Sequence, residues 1–176
     1  MTELHTARLA LLPITFQVAE ATLRDRSKLE SLLGIKVSAE WPNPDFRDAL
    51  DFVRRDVKRD PGYSEWIRLI VHNFDRMVIG DAGFKSKPDS SGTVEIGYGV
   101  VRDYRNRGVA FEASSALIDW AFQTQGVKRV VAECYETNEP SIRVLNKLGM
   151  EVTHSEESTG GLMLKWALEV PNASLM

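Results

Sequence analysis

Residues 95–110 read EIGYGVVRDYRNRGVA, and they constrain the chain more than any other stretch. A β-rich run passes through a short polar loop and opens directly into a helical pattern. The loop reads Arg105-x-x-Gly108-x-Ala110, with small residues where a ligand would need to approach the backbone closely. The helix after it presents unpaired N–H groups and the positive end of its dipole, and successive loop amides can form an anion-binding concavity. Arg105 and Arg107 add charge at the rim. These features predict a phosphate or pyrophosphate site. The alternative is a Gly108 that only relieves a tight turn beside solvated arginines. Neither G-x-x-x-x-G-K-[ST] nor a strand followed by G-x-G-x-x-G is present, so the common nucleotide loops are excluded. Gly97 and Gly99 interrupt the strand before the loop. They predict a bulge or a close backbone approach, or crowding against a packed helix.

The rest of the chain supplies a mixed sheet with helices on its faces. Residues 7–14 form a dense aliphatic strand closed by Pro13. Helices are expected over residues 16–25, with Thr15 as N-cap, over 28–33, stopped by Gly34, and over 45–58, where Phe46, Ala49, Leu50 and Val53 share one face. Strands follow at 66–72, 77–84 and 93–101. A helix at 111–124 has Ala110, Ala113, Leu117, Trp120 and Ala121 as its buried stripe. A strand at 127–135, a helix at 141–148 and strands from 152 and over 162–168 complete the order. At 176 residues with 43% hydrophobic content the chain suits one domain, residues 1–170, with a loose tail at 171–176.

Composition narrows the function. Twenty-two basic against 25 acidic residues leave a net charge of -3, which is no nucleic-acid footprint. The single cysteine, Cys134, excludes an internal disulfide and a multi-Cys zinc site, and the three histidines have no ligand spacing, so no metal is expected. No run of about 18 apolar residues and no basic start before an apolar stretch occur. A cytoplasmic protein without a signal peptide or membrane span is the expectation.

The loop resembles the Q/R-x-x-G-x-G/A acetyl-CoA signature of the GNAT superfamily. The resemblance extends through Tyr104-Arg-Asn-Arg-Gly-Val-Ala-Phe-Glu-Ala. A second block, Asn138-Glu-Pro-Ser141-Ile-Arg-Val-Leu-Asn-Lys-Leu-Gly-Met, is similar to the N-x-x-S-x-R-V-L-x-K-L-G-F block of the branch containing ribosomal-protein N-terminal (alanine/serine) acetyltransferases. It covers about residues 5–169. It implies an α/β (α+β) GNAT fold: a mixed, mostly antiparallel sheet of about seven strands, helices on both faces, splayed between the fourth and fifth strands. It also implies acetyl-CoA as co-substrate. Backbone amides of Arg105, Asn106, Arg107, Gly108, Val109 and Ala110 would hold the pyrophosphate, Val100 and Val101 would pair with the pantetheine arm, Asn138 would hydrogen-bond the pantetheine or the nearby backbone, and Ser141 would face the thiol. Asn138 is equally suited to capping the helix it precedes. A homodimer is the arrangement common among the proteins it resembles.

The activity so implied is transfer of an acetyl group from acetyl-CoA to a primary amine, a protein N-terminus or a small molecule, by direct attack in a ternary complex. The alternatives are a non-catalytic GNAT-fold acyl-CoA sensor and an unrelated phosphate-ligand protein. Many GNAT enzymes carry a tyrosine general acid four residues after the position of Ser141. Here that position is Leu145, which leaves Ser141, or Tyr98, Tyr104 or Tyr135, to serve the leaving thiolate. Glu95 is the candidate general base, with Glu133 in reserve, and Trp41 is a candidate for lining the acceptor pocket.

Overall fold

The computed structural model describes residues 2–124 and 126–170; the expected tail lies outside them. In chain order the elements are β1 (Leu4–His5), β2 (Leu9–Pro13), α1 (Phe16–Arg24), α2 (Arg26–Leu33), β3 (Lys36–Val37) and α3 (Pro44–Arg59). A 3-10 turn (Pro61–Trp66) leads into β4 (Ile67–His72), β5 (Met77–Phe84), β6 (Thr93–Val100) and α4 (Val109–Gln123). The chain ends with β7 (Arg129–Tyr135), α5 (Glu139–Lys147), β8 (Glu151–Ser158) and β9 (Gly161–Glu169). The expected order holds, with β1 and β3 added. Two-residue strands have no period to read.

The sheet runs β1-β2-β4-β5-β6-β7-β9-β8, with β3 alongside β5. Every pair on that path is antiparallel except β6–β7. That parallel pair holds only over Thr93↔Arg129, Val94↔Val130 and Glu95↔Val131. Past Glu95 the two strands diverge, so the splay lies between the expected pair of strands. It does not come from a bulge at the glycines. The β5–β6 register is unbroken from Phe84↔Ile96 to Gly80↔Val100, and the opening is entirely on the β7 side.

Leu9 and Leu11 of β2, Leu69 and Ile70 of β4, Ile79 of β5 and Leu117 of α4 are all fully buried. Each such side chain contributes roughly 1.5–3 kcal/mol by leaving water. On one face of the sheet α4 turns in Val109, Ala113, Leu117, Ile118 and Ala121. Ala110 and Trp120 sit half-buried at the edge of that stripe. Trp120 packs edge-on against Trp66 at 5.0 Å, and the Arg68 guanidinium lies over its ring at 5.0 Å. On the opposite face, α3 buries Phe46, Leu50, Val53 and Val57 at helical spacing. Thus α4 with α5, and α1 to α3, cover opposite faces. Among the described residues no helix is long and apolar enough to cross a membrane.

Candidate active site

A cleft of about 840 Å³ opens where β6 and β7 part. Three helices begin at its walls, and their N-terminal ends converge on it: Asn43 before α3, Gly108 before α4 and Asn138 before α5. Each brings the positive end of a helix dipole, but the three ends are not equivalent. Asn43 Oδ1 accepts from Phe46 N at 2.8 Å, and Asn138 Oδ1 accepts from Ser141 N at 3.2 Å, so both of these ends are closed by their own caps. Gly108 has no side chain to cap with. Among the described residues, no acceptor takes the first amides of α4, those of Val109, Ala110 and Phe111. One helix end of the three is therefore left able to bind an anion.

Glycine at 108 is required by conformation rather than by space. Its φ is 76°, a region that costs a residue with a Cβ about 1–2 kcal/mol. A Cβ there would meet only Arg8 Nη2, at 3.6 Å. Asn106 also has positive φ, 59°, so the loop turns back on itself twice before the helix starts. It is tied down on both sides. Arg105 Nε donates to Val100 O at 2.9 Å, and Arg8 Nη1 donates to Arg107 O at 3.0 Å. Arg8 is itself paired with Glu112 on the first turn of α4, at 2.6 Å.

The parity of β6 decides which backbone groups face the splay. In an antiparallel ladder a residue turns both its N–H and its C=O to the same side. Val101 N donates to Ile79 O at 2.9 Å, so Val101, Gly99 and Gly97 turn toward β5. Tyr98 and Val100 turn toward the gap. Val101 is a correction to the expectation from sequence. Its carbonyl also accepts from Tyr104 N at 3.1 Å and its side chain is buried, so it has nothing to offer an added strand. Val100 keeps its N–H free for that role.

Of the residues singled out from sequence, Val100, Arg105, Asn106, Gly108, Val109, Ala110, Asn138 and Ser141 line the cleft. Arg107 does not; its guanidinium lies over the Tyr104 ring at 5.6 Å. Glu95 does not either. It sits where β6 and β7 are still paired, and its carboxylate is in an ion pair with Lys85. Glu133 is a surface residue in an ion pair with Lys165. Trp41 is 1% exposed, a core side chain 5.8 Å from the Phe46 ring, and is not a pocket wall. Asn138 serves as the helix cap and also lines the cleft.

Three groups were not singled out from sequence. Asn43 and Asp45, at the start of α3, line the cleft on the face opposite α4. Beneath them Asp81 of β5 is 6% exposed and accepts from Trp41 Nε1 at 2.9 Å. Burial, opposed by that hydrogen bond and reinforced by the nearby Asp45 charge, pushes its carboxyl up to about 7. Two sequence signals could have found them: the Asn-Pro dipeptide before a helical pattern, and a lone charge inside an apolar strand. The cleft is thus polarised, with Arg105, Arg143 and Lys147 on the α4–α5 side and Asp45 on the α3 side.

The tyrosines separate cleanly. Leu145, at the position where a tyrosine was sought, is 1% exposed and belongs to the core. Tyr104 lines the cleft but donates its hydroxyl to Asp75 Oδ2 at 2.5 Å. Tyr135 is packed under Gly160, whose added Cβ would come within 2.6 Å of the ring. Tyr98 alone reaches across the splay, with its hydroxyl 3.5 Å from Ser141 O. Burial first, and the neighbouring Cys134 thiol, push it up to about 12, so it carries its proton at neutral pH.

The fold and this cleft have known counterparts. Residues 8–151 match the model of an acetyltransferase (GNAT) domain. The chain is 32% identical over 157 residues to the uncharacterized N-acetyltransferase YjdG of Bacillus subtilis, covering 88% of this chain and 92% of that protein. Among solved structures it superposes on RimL, a ribosomal L7/L12 alpha-N-protein acetyltransferase in complex with coenzyme A. The TM-score is 0.70 at 15% identity, covering 96% and 98% of the two chains. It also superposes on the ribosomal-protein-S5-alanine acetyltransferase of Vibrio fischeri, with a TM-score of 0.69 at 16% identity and 98% of each chain covered. By its sequence match and by its splayed sheet, this chain belongs to the GNAT acetyltransferase domain family.

Proposed function

We propose that this GNAT acetyltransferase transfers the acetyl group of acetyl-CoA to a primary amine by direct attack in a ternary complex. The observation that carries the reading is the uncapped start of α4 beside the splay. A pyrophosphate fits the free amides of Val109, Ala110 and Phe111. From there a pantetheine arm can run along β6 and pair with Val100 N–H and with Tyr98. The thioester then lies at the N-terminus of α5, between Tyr98 and Ser141.

Each part of the chemistry has a residue of this chain. The α4 amides and the basic rim of Arg105, Arg143 and Lys147 bind the diphosphate end. The Tyr98–Val100 edge orients the arm, and holding both reactants close supplies much of the rate. The positive end of α5 favours the charge that develops on the departing sulfur. Tyr98, protonated at neutral pH, and Ser141 stand where the thiolate leaves. The acceptor enters from the α3 side, past Asn43 and Asp45, where the negative charge suits an ammonium ion. A protein N-terminus or a small amine in the cytoplasm fits such an entrance, and homodimerisation is part of the same proposal.

The test is calorimetry with acetyl-CoA followed by CoA-thiol release with primary amines: an N-terminal alanine tetrapeptide, an N-terminal serine tetrapeptide, spermidine and lysine. Binding with amine-dependent CoA release is expected. Binding without release under any amine would leave an acyl-CoA sensor, and no binding would remove the reading of the α4 loop.

A further inference from the structure

Asp81 is a buried carboxyl that the steps above do not use. It lies on β5 directly opposite Gly99 of β6, on the face of the sheet that α3 covers. Gly99 lines the cleft and has no side chain to intervene. A Cβ on Gly99 would collide with Asn43 Nδ2, and Asp81 Oδ1 lies 3.7 Å from that same point. Asp81 does not itself line the cleft; it lies behind the Gly99 backbone and the Asn43 amide, which do. Trp41 Nε1 holds Oδ1 at 2.9 Å, and among the described residues no group donates to Oδ2.

Among the described residues no cation compensates it. On β4, Arg68 turns to the opposite face and stacks on Trp120. On β5 and β6, Lys85 and Glu95 pair with each other. From α3 the charge that acts on it is Asp45, which has the same sign. A carboxylate buried without a cation or a second donor is costly. An ammonium ion arriving from the cleft would supply what is missing.

We propose that Asp81, and not Glu95, is the general base for the acceptor amine. The assignment rests on the amine acetylation proposed above. The acceptor R–NH3+ gives one proton to the Asp81 carboxylate and becomes R–NH2. Its lone pair forms the new C–N bond as the C–S bond breaks. The second proton leaves the nitrogen as the amide forms and ends on the departing thiolate as CoA–SH. Asp81 then returns its proton to solvent. The shift of its carboxyl to about 7 suits this role, because a base works best when it titrates near the working pH.

Asp81→Asn tests the assignment, because the amide oxygen still accepts from Trp41 while the base is gone. Acetyl transfer to the alanine tetrapeptide and to spermidine is measured for wild type, Asp81→Asn and Glu95→Gln. Asp81→Asn is expected to lower kcat by about 10² to 10⁴ with acetyl-CoA affinity unchanged by calorimetry. The deficit should shrink as pH rises toward the amine's own pKa, and Glu95→Gln should stay near wild type. Wild-type turnover combined with normal kcat in Asp81→Asn, or a loss confined to Glu95→Gln, overturns the assignment and leaves the acetyltransferase reading intact. Wild type that binds acetyl-CoA and acetylates neither probe sinks the amine reading, and this assignment with it. A carbon-13 pH titration of wild-type carboxyls keeps the proposal exposed even if the variant does not fold. One carboxyl should titrate near 7, and its absence would also overturn the role.

Discussion

Replacing Asp81 by asparagine should change how stability depends on pH, independently of any turnover. In the folded chain, burial pushes the Asp81 carboxyl from 3.8 up to about 7. Between those values the native state holds a proton that the unfolded chain has released. Stability therefore falls as pH rises through this window, and levels off above pH 7 once both states are ionised. At about 1.36 kcal/mol per pH unit, the full loss is about 4 kcal/mol. Asparagine has the same shape, keeps the bond to Trp41 Nε1 and does not titrate. The variant should therefore gain on wild type by up to that amount between pH 4 and pH 8. In a chain of this length each kcal/mol moves the melting temperature by about 2–4 °C, so the two melting curves should separate by roughly ten degrees across the range. Urea unfolding at pH 4, 5, 6, 7 and 8 on both proteins checks it, since every other titration is common to the pair and cancels in the difference. Parallel stability curves would refute the reasoning. They would mean that the resting carboxyl is not held in an apolar site.

Glu112 should behave in the opposite sense. It accepts from Thr6 Oγ1 at 2.5 Å, Arg8 N at 3.0 Å and Arg8 Nε at 2.7 Å. Although burial opposes it, these bonds hold its carboxyl below the usual value of 4.5. Its contribution is present above 4.5 and is lost as pH falls through the depressed value, so Glu112→Gln should cost about 1–3 kcal/mol at pH 7 and much less in acid, measured by urea unfolding. Gly108→Val should fold with a loss of about 1–2 kcal/mol from its positive φ and lose acetyl-CoA binding in calorimetry, because a β-branched residue resists the φ that aims the first amides of α4 at the cleft. Tyr98→Phe should leave acetyl-CoA affinity unchanged and lower kcat by about 10² or more if the phenol protonates the thiolate. Normal turnover would hand that role to Ser141.

What the sequence showed and what it hid divides along a physical line. The α4 loop was legible because everything it needs lies in one short stretch: a strand, a residue able to take positive φ, and a helix whose first amides are left free. The long elements were legible for the same reason, and β5 was placed at both ends. Helix starts were read late, at 111 and 141 instead of 109 and 139, because a hydrophobic stripe does not fix where the first turn of a helix begins. Val101 failed on parity. A strand's period of two separates in-facing from out-facing backbone only once its hydrogen-bonded neighbour is known, and a shift of one residue reverses the answer. Asp81, Asn43 and Trp41 were illegible as a group because two packing events bring them together. The β5–β6 register sets Asp81 opposite Gly99, and the docking of α3 lays Asn43 over that glycine and buries the Trp41 ring. The co-substrate end of this site is therefore written locally, and the acceptor end is written in tertiary contacts. Two GNAT chains can consequently share the α4 loop and differ wholly in the amine they accept. The residues to compare among them are those that α3 places over the sheet, namely the counterparts of Asn43, Asp45 and Asp81.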